Sequence, residues 1–319
     1  MKPSPAVLEQ AALSVAARRR IGRFLNTTPC IPSRTVFEEG TELLFKAENF
    51  QRTGSFKFRG ALSKLTSLST DTPIVTASSG NHGLALATAA QMTGHTLTVV
   101  LPETVASEKL DRISALGVET ILHSRDPGLA EQHAQDIARK NRNVYVSPYN
   151  DRAVIAGQGT IALEILEQVP KLDTVYVSIG GGGLISGVGS VLKAFSPSTR
   201  VVGVSAANSA ALAASIRSGK IVEITHSDTL ADGCAGAVDV GAITLPLATE
   251  VVDDFVDCSE TQIAEAVRSL AWNEKMLVEG SAGLAFAAYQ ADSGITGKIS
   301  AVILCGANFD RERIASVIM

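Results

Sequence analysis

Basic residues, cysteines and long apolar runs are all in short supply in this 319-residue chain, and each shortage closes off a class of function. Lys and Arg number 28 against 32 Asp and Glu, a net charge of -4, so there is no basic excess to match a nucleic-acid backbone. No apolar run approaches the ~20 residues that a bilayer-spanning helix needs. The N-terminus lacks the order of a signal peptide, because the basic run Arg18-Arg19-Arg20 follows the Ala/Leu stretch instead of preceding it. The four cysteines, Cys30, Cys234, Cys258 and Cys305, lie far apart and form no CxxC pair. In a chain with no secretion signal they read as reduced thiols, not as a disulfide framework. Charged residues make up only 19% and apolar ones 45%, which excludes a disordered chain. The composition therefore points to a cytoplasmic globular protein with a large core and, at about 150 residues per domain, roughly two domains.

Short runs rich in Val, Ile and Leu alternate with helical patterns over most of the length. Strands are expected at Ile74–Ala77, Thr96–Leu101, Val118–Leu122, Val144–Ser147, Val175–Ile179, Val201–Ser205 and Ala301–Cys305. Their near-continuous apolar character is that of parallel strands covered on both faces. Helices are expected at Gly83–Thr93, Ala106–Leu116, Leu129–Lys140, Ile155–Gln168, Leu184–Phe195, Ser209–Ser218, Glu260–Lys275 and Ala282–Gln290. The alternation implies crossover connections and an α/β fold of open, twisted, mostly parallel sheets with flanking helices. Two sheets are expected. The strands between Ile74 and Ser147 form one, and the later strands join Leu43–Lys46 in the other. The stretch Ile221–Thr249 mixes patterns, carries several glycines and reads as loop beside a site.

Four segments lie at or just beyond the carboxyl end of an expected strand, where open α/β sheets bind ligands. The first, Arg52-Thr-Gly-Ser-Phe-Lys-Phe-Arg-Gly60, opens a helix over Phe58–Leu68. A helix start disfavours a cation, so Lys57 is a candidate for the lowered pKa of a Schiff-base lysine. Taken alone, the segment is better explained by a surface lysine on a turn. The second, Thr76-Ala-Ser-Ser-Gly-Asn-His-Gly83, sets small polar residues at a helix N-terminus, which suits a carboxylate or phosphate better than it suits a simple cap. The third, Ser178-Ile-Gly-Gly-Gly-Gly-Leu-Ile-Ser-Gly187, lets backbone close around an anion in front of a helix. It is not a dinucleotide site, which needs an acid at the end of the next strand, where Ser205-Ala-Ala stands. No Walker loop occurs. The fourth, Leu304-Cys-Gly-Ala-Asn-Phe-Asp310, sets Cys305 at a strand end, either as core or facing a ligand ring.

In order, ENFQRTGSFKFRGA, TASSGNHG, VIAGQGTIALEI, GGGGLISG, TLADG and CGANFD resemble the signature segments of the fold-type II pyridoxal-phosphate enzymes, in the threonine/serine dehydratase and serine racemase group. The resemblance runs from about Asn26 to Asp310. It implies a tryptophan synthase β-like fold, with a small domain (72–149) inserted in a large cofactor-binding domain (1–71 and 150–319). It implies that pyridoxal 5'-phosphate is held as a Schiff base by Lys57, which also moves the α-proton. Phe56 resembles the aromatic packed on the cofactor ring, and Asn81 the partner of its O3′. Gly180, Gly181, Gly182, Gly183 and Leu184 resemble the phosphate cup, and Cys305 stands where the ring nitrogen is faced. Ser78, Ser79, Asn81 and His82 resemble the loop that grips the substrate carboxylate, and Ser79 also matches the second acid/base of racemases. A neutral Cys opposite the ring nitrogen makes the cofactor a weaker electron sink, which favours prompt β-elimination. The expected reaction is thus dehydration of a neutral 3-hydroxy amino acid, L-serine, L-threonine or a bulkier relative such as 3-phenylserine, to a 2-oxo acid and ammonia.

Some positions depart from the family pattern. Many relatives bind a divalent cation through acids after the strand that follows the glycine loop. Here that stretch is Ser205-Ala-Ala-Asn-Ser-Ala-Ala211, so no metal is expected, and Asp253 and Asp254 read as a solvated turn. Tyr149 borders the site in the segment Pro148-Tyr-Asn-Asp and bears on substrate size. No unmatched arginine is evident for a second carboxylate, which disfavours hydroxyaspartate. The chain ends nine residues after Asp310, so a C-terminal regulatory domain is not expected. An amino acid racemase is the alternative, because Ser79 is present. A homodimer with a small amino acid as its only other partner completes the expectation.

Overall fold

The computed structural model describes residues 2–319. Its larger sheet has the order β1-β2-β10-β7-β8-β9, built from Cys30–Pro32 (β1), Glu42–Ala47 (β2), Thr174–Ser178 (β7), Arg200–Ala206 (β8), Asp254–Cys258 (β9) and Ile299–Leu304 (β10). The short edge strand β1 pairs antiparallel with β2, and every other pairing in the sheet is parallel. The smaller sheet, order β5-β4-β3-β6, is wholly parallel and consists of Ile74–Ala77 (β3), Leu97–Leu101 (β4), Glu119–Leu122 (β5) and Val144–Tyr145 (β6).

Parallel neighbours require long crossovers, and helices supply them. Asn81–Thr93 (α3), Ser107–Ser114 (α4) and Pro127–Asn141 (α5) serve the small sheet. Arg152–Gln168 (α6), Gly183–Phe195 (α7), Ala211–Ser218 (α8), Thr244–Val251 (α9), Glu260–Trp272 (α10) and Gly280–Ala291 (α11) serve the large one. Pro5–Ile21 (α1), Lys57–Leu65 (α2) and Arg311–Ile318 (α12) complete the chain. Local chemistry sets the helix starts. Asp151 accepts from the N–H groups of Ala153 and Val154 at the start of α6, and Ser259 and Gln262 form a reciprocal capping box on α10.

The inward residues of β7, β8 and β10, among them Val175, Val177, Val202, Val204 and Val302, share one core with α11. A second core joins Ile74, Val99 and Leu101 of the small sheet to Phe58, Leu62 and Leu65 of α2. Helix α2 therefore packs its apolar side on the small sheet. Its other side is tied to the large sheet's helices by fully buried charges. Arg59 Nε lies 2.7 Å from Glu48 Oε2, Arg59 Nη1 2.8 Å from Glu164 Oε1, and Lys46 Nζ 2.8 Å from Glu164 Oε2. Each buried charge is paired, the condition under which such groups can be kept from water. The start of α2, where Lys57 sits, is thereby held from both sides.

The expected strands and helices are present, with ends moved by a few residues. Five elements lacked a sequence expectation: α1, β1, α9, β9 and α12. The stretch Ile221–Thr249 is irregular only as far as Ile243, and α9 then begins, with Pro246 in the first turn where a missing N–H costs no helix bond. Asp253 and Asp254 do not form a solvated turn. Asp253 accepts from the N–H of Val201 and pairs with Lys193, while Asp254 opens β9 and pairs with Arg200. Acids at the first and fourth positions of Asp-Phe-Val-Asp-Cys hide a strand that lies on the sheet edge, where charge is usual. All four cysteines are free, and among the described residues no helix is long and apolar enough to cross a membrane.

Candidate active site

The carboxyl ends of β3, β7 and β10 open onto one cavity of about 650 Å³. Its wall includes every residue singled out above: Phe56, Lys57, Ser78, Ser79, Asn81, His82, Gly180 to Leu184, and Cys305. Four segments far apart in sequence thus converge on a single volume. Tyr149, Lys109, Glu131, Asp232, Asp239 and Glu279 contribute further polar groups.

Lys57 is the first residue of α2 and points across the cavity, where its Nζ donates to the Pro148 carbonyl at 3.0 Å. It is not an ordinary surface lysine. Burial pushes its pKa from 10.5 down to about 8, against the opposing pull of Cys234, Cys305 and Glu279. The Phe56 ring stands beside it, 5.1 Å from Nζ to centroid. The preceding loop is pinned to the strand-end segment after β10, since Phe56 N–H donates to Cys305 O at 3.0 Å and Ala307 N–H to Gly54 O at 2.8 Å.

Opposite Lys57, the glycine run enters α7. The first N–H groups of a helix have no partner inside it, and here they face the cavity. The loop closes tightly around this position. Gly182 has φ +89°, a conformation that L side chains rarely adopt, and a Cβ on Gly181 would stand 2.4 Å from the Tyr149 ring. A phosphate-sized anion fits this cradle of bare backbone, and a side chain does not.

The segment between β3 and α3 presents a second set of donors. Ser78 and Ser79 are partly exposed to the cavity, and the Ser78 hydroxyl accepts from Gly80 N–H at 3.3 Å. His82 lines the cavity too, but one nitrogen of its imidazole is engaged by the segment after β6. Nε2 donates to the Val146 carbonyl at 3.1 Å, and burial together with the Lys57 charge holds the ring pKa at about 3. The ring is therefore neutral and brings no positive charge to the anion loop.

Cys305 follows β10 and is buried, and burial raises its thiol pKa well above the ordinary value, so the group is neutral. Its neighbour was not foreseen. Glu279 caps the entrance to α11 from inside the wall, with Cys305 Sγ 3.9 Å from its Oε1. The carboxyl accepts from Asn81 Nδ2 at 3.0 and 3.1 Å and from the N–H of Asn308 at 3.1 Å. Burial raises its pKa. The one available sequence signal was an acid set among apolar and small residues, Leu-Val-Glu-Gly-Ser-Ala-Gly, where a solvated charge would be out of place. Asn308 and Lys109 were also missed.

The stretch after β8 does not fit a divalent cation. Ser205 is buried within the strand, and Ser209 Oγ is shared between His226 Nδ1 at 2.8 Å and the N–H of Gly236 at 3.1 Å. Hydroxyls and a methyl at 205, 209 and 211 carry no charge to offset dehydration of such an ion.

The family model for pyridoxal-phosphate dependent enzymes matches residues 21–306. An L-threonine ammonia-lyase of Thermotoga maritima is 37% identical over 306 residues, covering 95% of this chain and 76% of that protein. An L-threo-3-hydroxyaspartate ammonia-lyase of Saccharomyces cerevisiae is 36% identical over 307 residues, covering 95% and 94%. The structure of maize serine racemase superposes with a TM-score of 0.87 at 31% identity, covering 96% of this chain and 95% of that one. With a half-buried lysine of lowered pKa facing a bare glycine cradle, and a family match across nearly the whole chain, the protein belongs to the pyridoxal-phosphate dependent enzymes.

Proposed function

We propose that this protein is an ammonia-lyase that converts a neutral L-3-hydroxy amino acid, of the serine or threonine type, into a 2-oxo acid and ammonia. The observation that carries the reading is Lys57, a lysine of pKa about 8 placed in one cavity between the glycine cradle and the Ser78–Asn81 loop. In this assignment Lys57 holds the cofactor covalently. The N–H groups from Gly180 to Leu184 hold its phosphate, Phe56 packs on its ring, Asn81 meets its phenolic oxygen, and Cys305 faces its nitrogen. Bound there, pyridoxal phosphate supplies the electron sink that makes Cα–H acidic.

The protein's own groups do the rest. Backbone N–H groups and the Ser78 and Ser79 hydroxyls orient the substrate carboxylate, which fixes Cα–H towards Lys57. Once the substrate's own amine has taken its place, the Lys57 amine, with a pKa near 8, is free both to take that proton and, once charged, to protonate the departing hydroxyl as water. The neutral Cys305 thiol withholds a proton from the ring nitrogen, which favours elimination over reprotonation at Cα.

The walls also bear on the substrate. Glu131, Asp232, Asp239 and Glu279 line the cavity, against Lys57 and Lys109, and no arginine is among the lining residues described. A second carboxylate on the substrate would meet a net negative surface, so a neutral Cβ substituent is the better fit. Residues 72–149 are read as the small domain, inserted in a large domain of 1–71 and 150–319, and the protein as a cytoplasmic homodimer.

The test is product analysis with purified holoenzyme and L-serine, L-threonine, L-3-phenylserine and L-threo-3-hydroxyaspartate in turn. A 2-oxo acid with equimolar ammonia from a neutral substrate is expected. D-amino acid as the main product would favour the racemase alternative that Ser79 allows. Turnover of hydroxyaspartate alone would overturn the substrate class.

A further inference from the structure

Asn308 sits at the meeting point of three elements around the cavity. Its side-chain Nδ2 donates to the Thr53 carbonyl at 2.7 Å and to Asn81 Oδ1 at 2.7 Å. Its Oδ1 accepts from Arg112 Nη2 of α4 at 3.3 Å, and its backbone N–H donates to Glu279 Oε2 at 3.1 Å. The orientation of each amide in this chain follows from its partners. A peptide carbonyl only accepts and a guanidinium only donates, so the Asn308 nitrogen must face Thr53 and its oxygen Arg112. That nitrogen then demands the oxygen of Asn81. On its other side, Asn81 presents its nitrogen to both oxygens of Glu279, at 3.0 and 3.1 Å.

Thr53 belongs to the loop that delivers Lys57, and Asn81 opens α3 beside the small sheet. Asn308 thus joins the segment carrying the lysine to the residue on the opposite side of the cavity. Gly54, at φ +73°, lets the backbone pass Asn308, since a Cβ there would stand 3.1 Å from the side-chain oxygen. Nothing in the reaction as described above employs Asn308.

We propose that Asn308 is a positioning residue that fixes the amide of Asn81 with its N–H side towards the acceptor oxygen of the bound cofactor. Glu279 backs the same orientation from the opposite side. The inference rests on the reading of this cavity as a pyridoxal phosphate site. Asn81 has one amide nitrogen with two hydrogens. Where one hydrogen is shared between the two Glu279 oxygens, the other is the donor available to a ring oxygen. If Asn81 were rotated by 180°, its oxygen would face the Glu279 carboxyl and its nitrogen would face the Asn308 nitrogen. Both contacts would then oppose like groups, and the donor to the cofactor would be lost. The device works by exclusion of the wrong rotamer, so the tie to Thr53 acts apart from it and the effect on the donor passes through Asn81.

That last point makes the proposal separable from a merely structural role. Cofactor affinity is measured by titrating cofactor-free protein with pyridoxal phosphate, and the absorbance maximum of the lysine-bound form is recorded, for wild type, Asn308→Ala, Asn81→Ala and the double variant. Asn308→Asp, which swaps the donor for an acceptor without changing shape, is a second probe. In the wild-type background each Asn308 variant is expected to weaken affinity by about tenfold, the upper range for one lost hydrogen bond, and to shift the maximum. In the Asn81→Ala background the further loss is expected to be several-fold smaller than in wild type, what remains being the tie to Thr53, with no further spectral shift. Equal losses in both backgrounds, or no loss in either, would overturn the proposal. A wild-type protein that binds no pyridoxal phosphate would overturn the functional reading itself, whereas normal wild-type binding with uncoupled variants overturns only the role of Asn308.

Discussion

The pKa of Lys57 is open to direct measurement in the cofactor-free protein. Burial lowers it from 10.5 to about 8. At pH 7.5 an amine of pKa 10.5 is roughly 0.1% neutral, and one of pKa 8 about 24%, so the reactive form is enriched on the order of 240-fold. Capture of an aldehyde requires that neutral form. The rate at which cofactor-free protein takes up pyridoxal phosphate, followed by absorbance and divided by the rate for an N-acetyl lysine at the same pH, should therefore be large near neutrality. It should fall away towards pH 10, with an inflection near pH 8. Glu279 opposes the shift through its negative charge, so Glu279→Gln should move the inflection to lower pH. A protein rate that climbs in parallel with the free amine up to pH 10 would refute the burial argument. An upward shift in Glu279→Gln would refute the placement of that charge.

Three further outcomes follow from particular contacts. Burial alone would raise the Glu164 pKa, but Arg59 and Lys46 outweigh it and hold the carboxyl at about 2, below the 4.5 of a free one, which amounts to about 3 kcal/mol of stability. Because the folded pKa is the lower, that stability is present above about pH 4.5 and is lost as pH falls towards 2, so in urea melts Glu164→Gln should be weaker by about 3 kcal/mol at pH 7 and should show a shallower acid-side decline, with the Asp173 and Asp292 shares remaining. Gly181→Ala would set a methyl 2.4 Å from the Tyr149 ring, and overpacking of this kind costs about 1–3 kcal/mol, to be read as a lower melting temperature and weaker cofactor binding. Exhaustive dialysis against EDTA should leave activity and melting temperature unchanged, and a several-fold loss restored by Mg2+ would reveal a cation site elsewhere.

Much of the fold was legible because buried parallel strands leave an unambiguous mark. Ile74–Ala77 and Ile299–Leu304 are mostly Val, Ile, Leu and Ala, and each is followed by a run of small residues, Ser-Ser-Gly-Asn after the first and Cys-Gly-Ala-Asn after the second. Elements at the edge left no such mark. Strand β9 carries acids at its first and fourth positions, as an outermost strand can, and α9 carries a proline that reads as a breaker until its place in the first turn is known. Glycine at 181 and 182 was legible for a different reason. Only a close approach of backbone, or a positive φ, makes four glycines in succession useful between a buried strand and a helix.

Glu279 and Asn308 were missed for the opposite reason. Neither has a local pattern, since each owes its position to partners remote in sequence. Asn308 bonds to Thr53, 255 residues away, and Asn81 bonds to Glu279 across 198 residues. A sequence read alone can show that a glutamate is out of place in an apolar stretch, but not which amide relieves it of its exposure. The consequence reaches the chemistry. Cys305 alone suggests a ring nitrogen faced by a neutral group, yet Glu279 lies 3.9 Å from its sulfur, so the field at that end of the cavity depends on the proton carried by a buried acid. Burial raises that acid's pKa, while three N–H contacts from Asn81 and Asn308 favour its ionised form. In the proposed assignment, the balance between elimination and return of the proton to Cα would then depend on this carboxyl and its two amide neighbours as well as on the thiol.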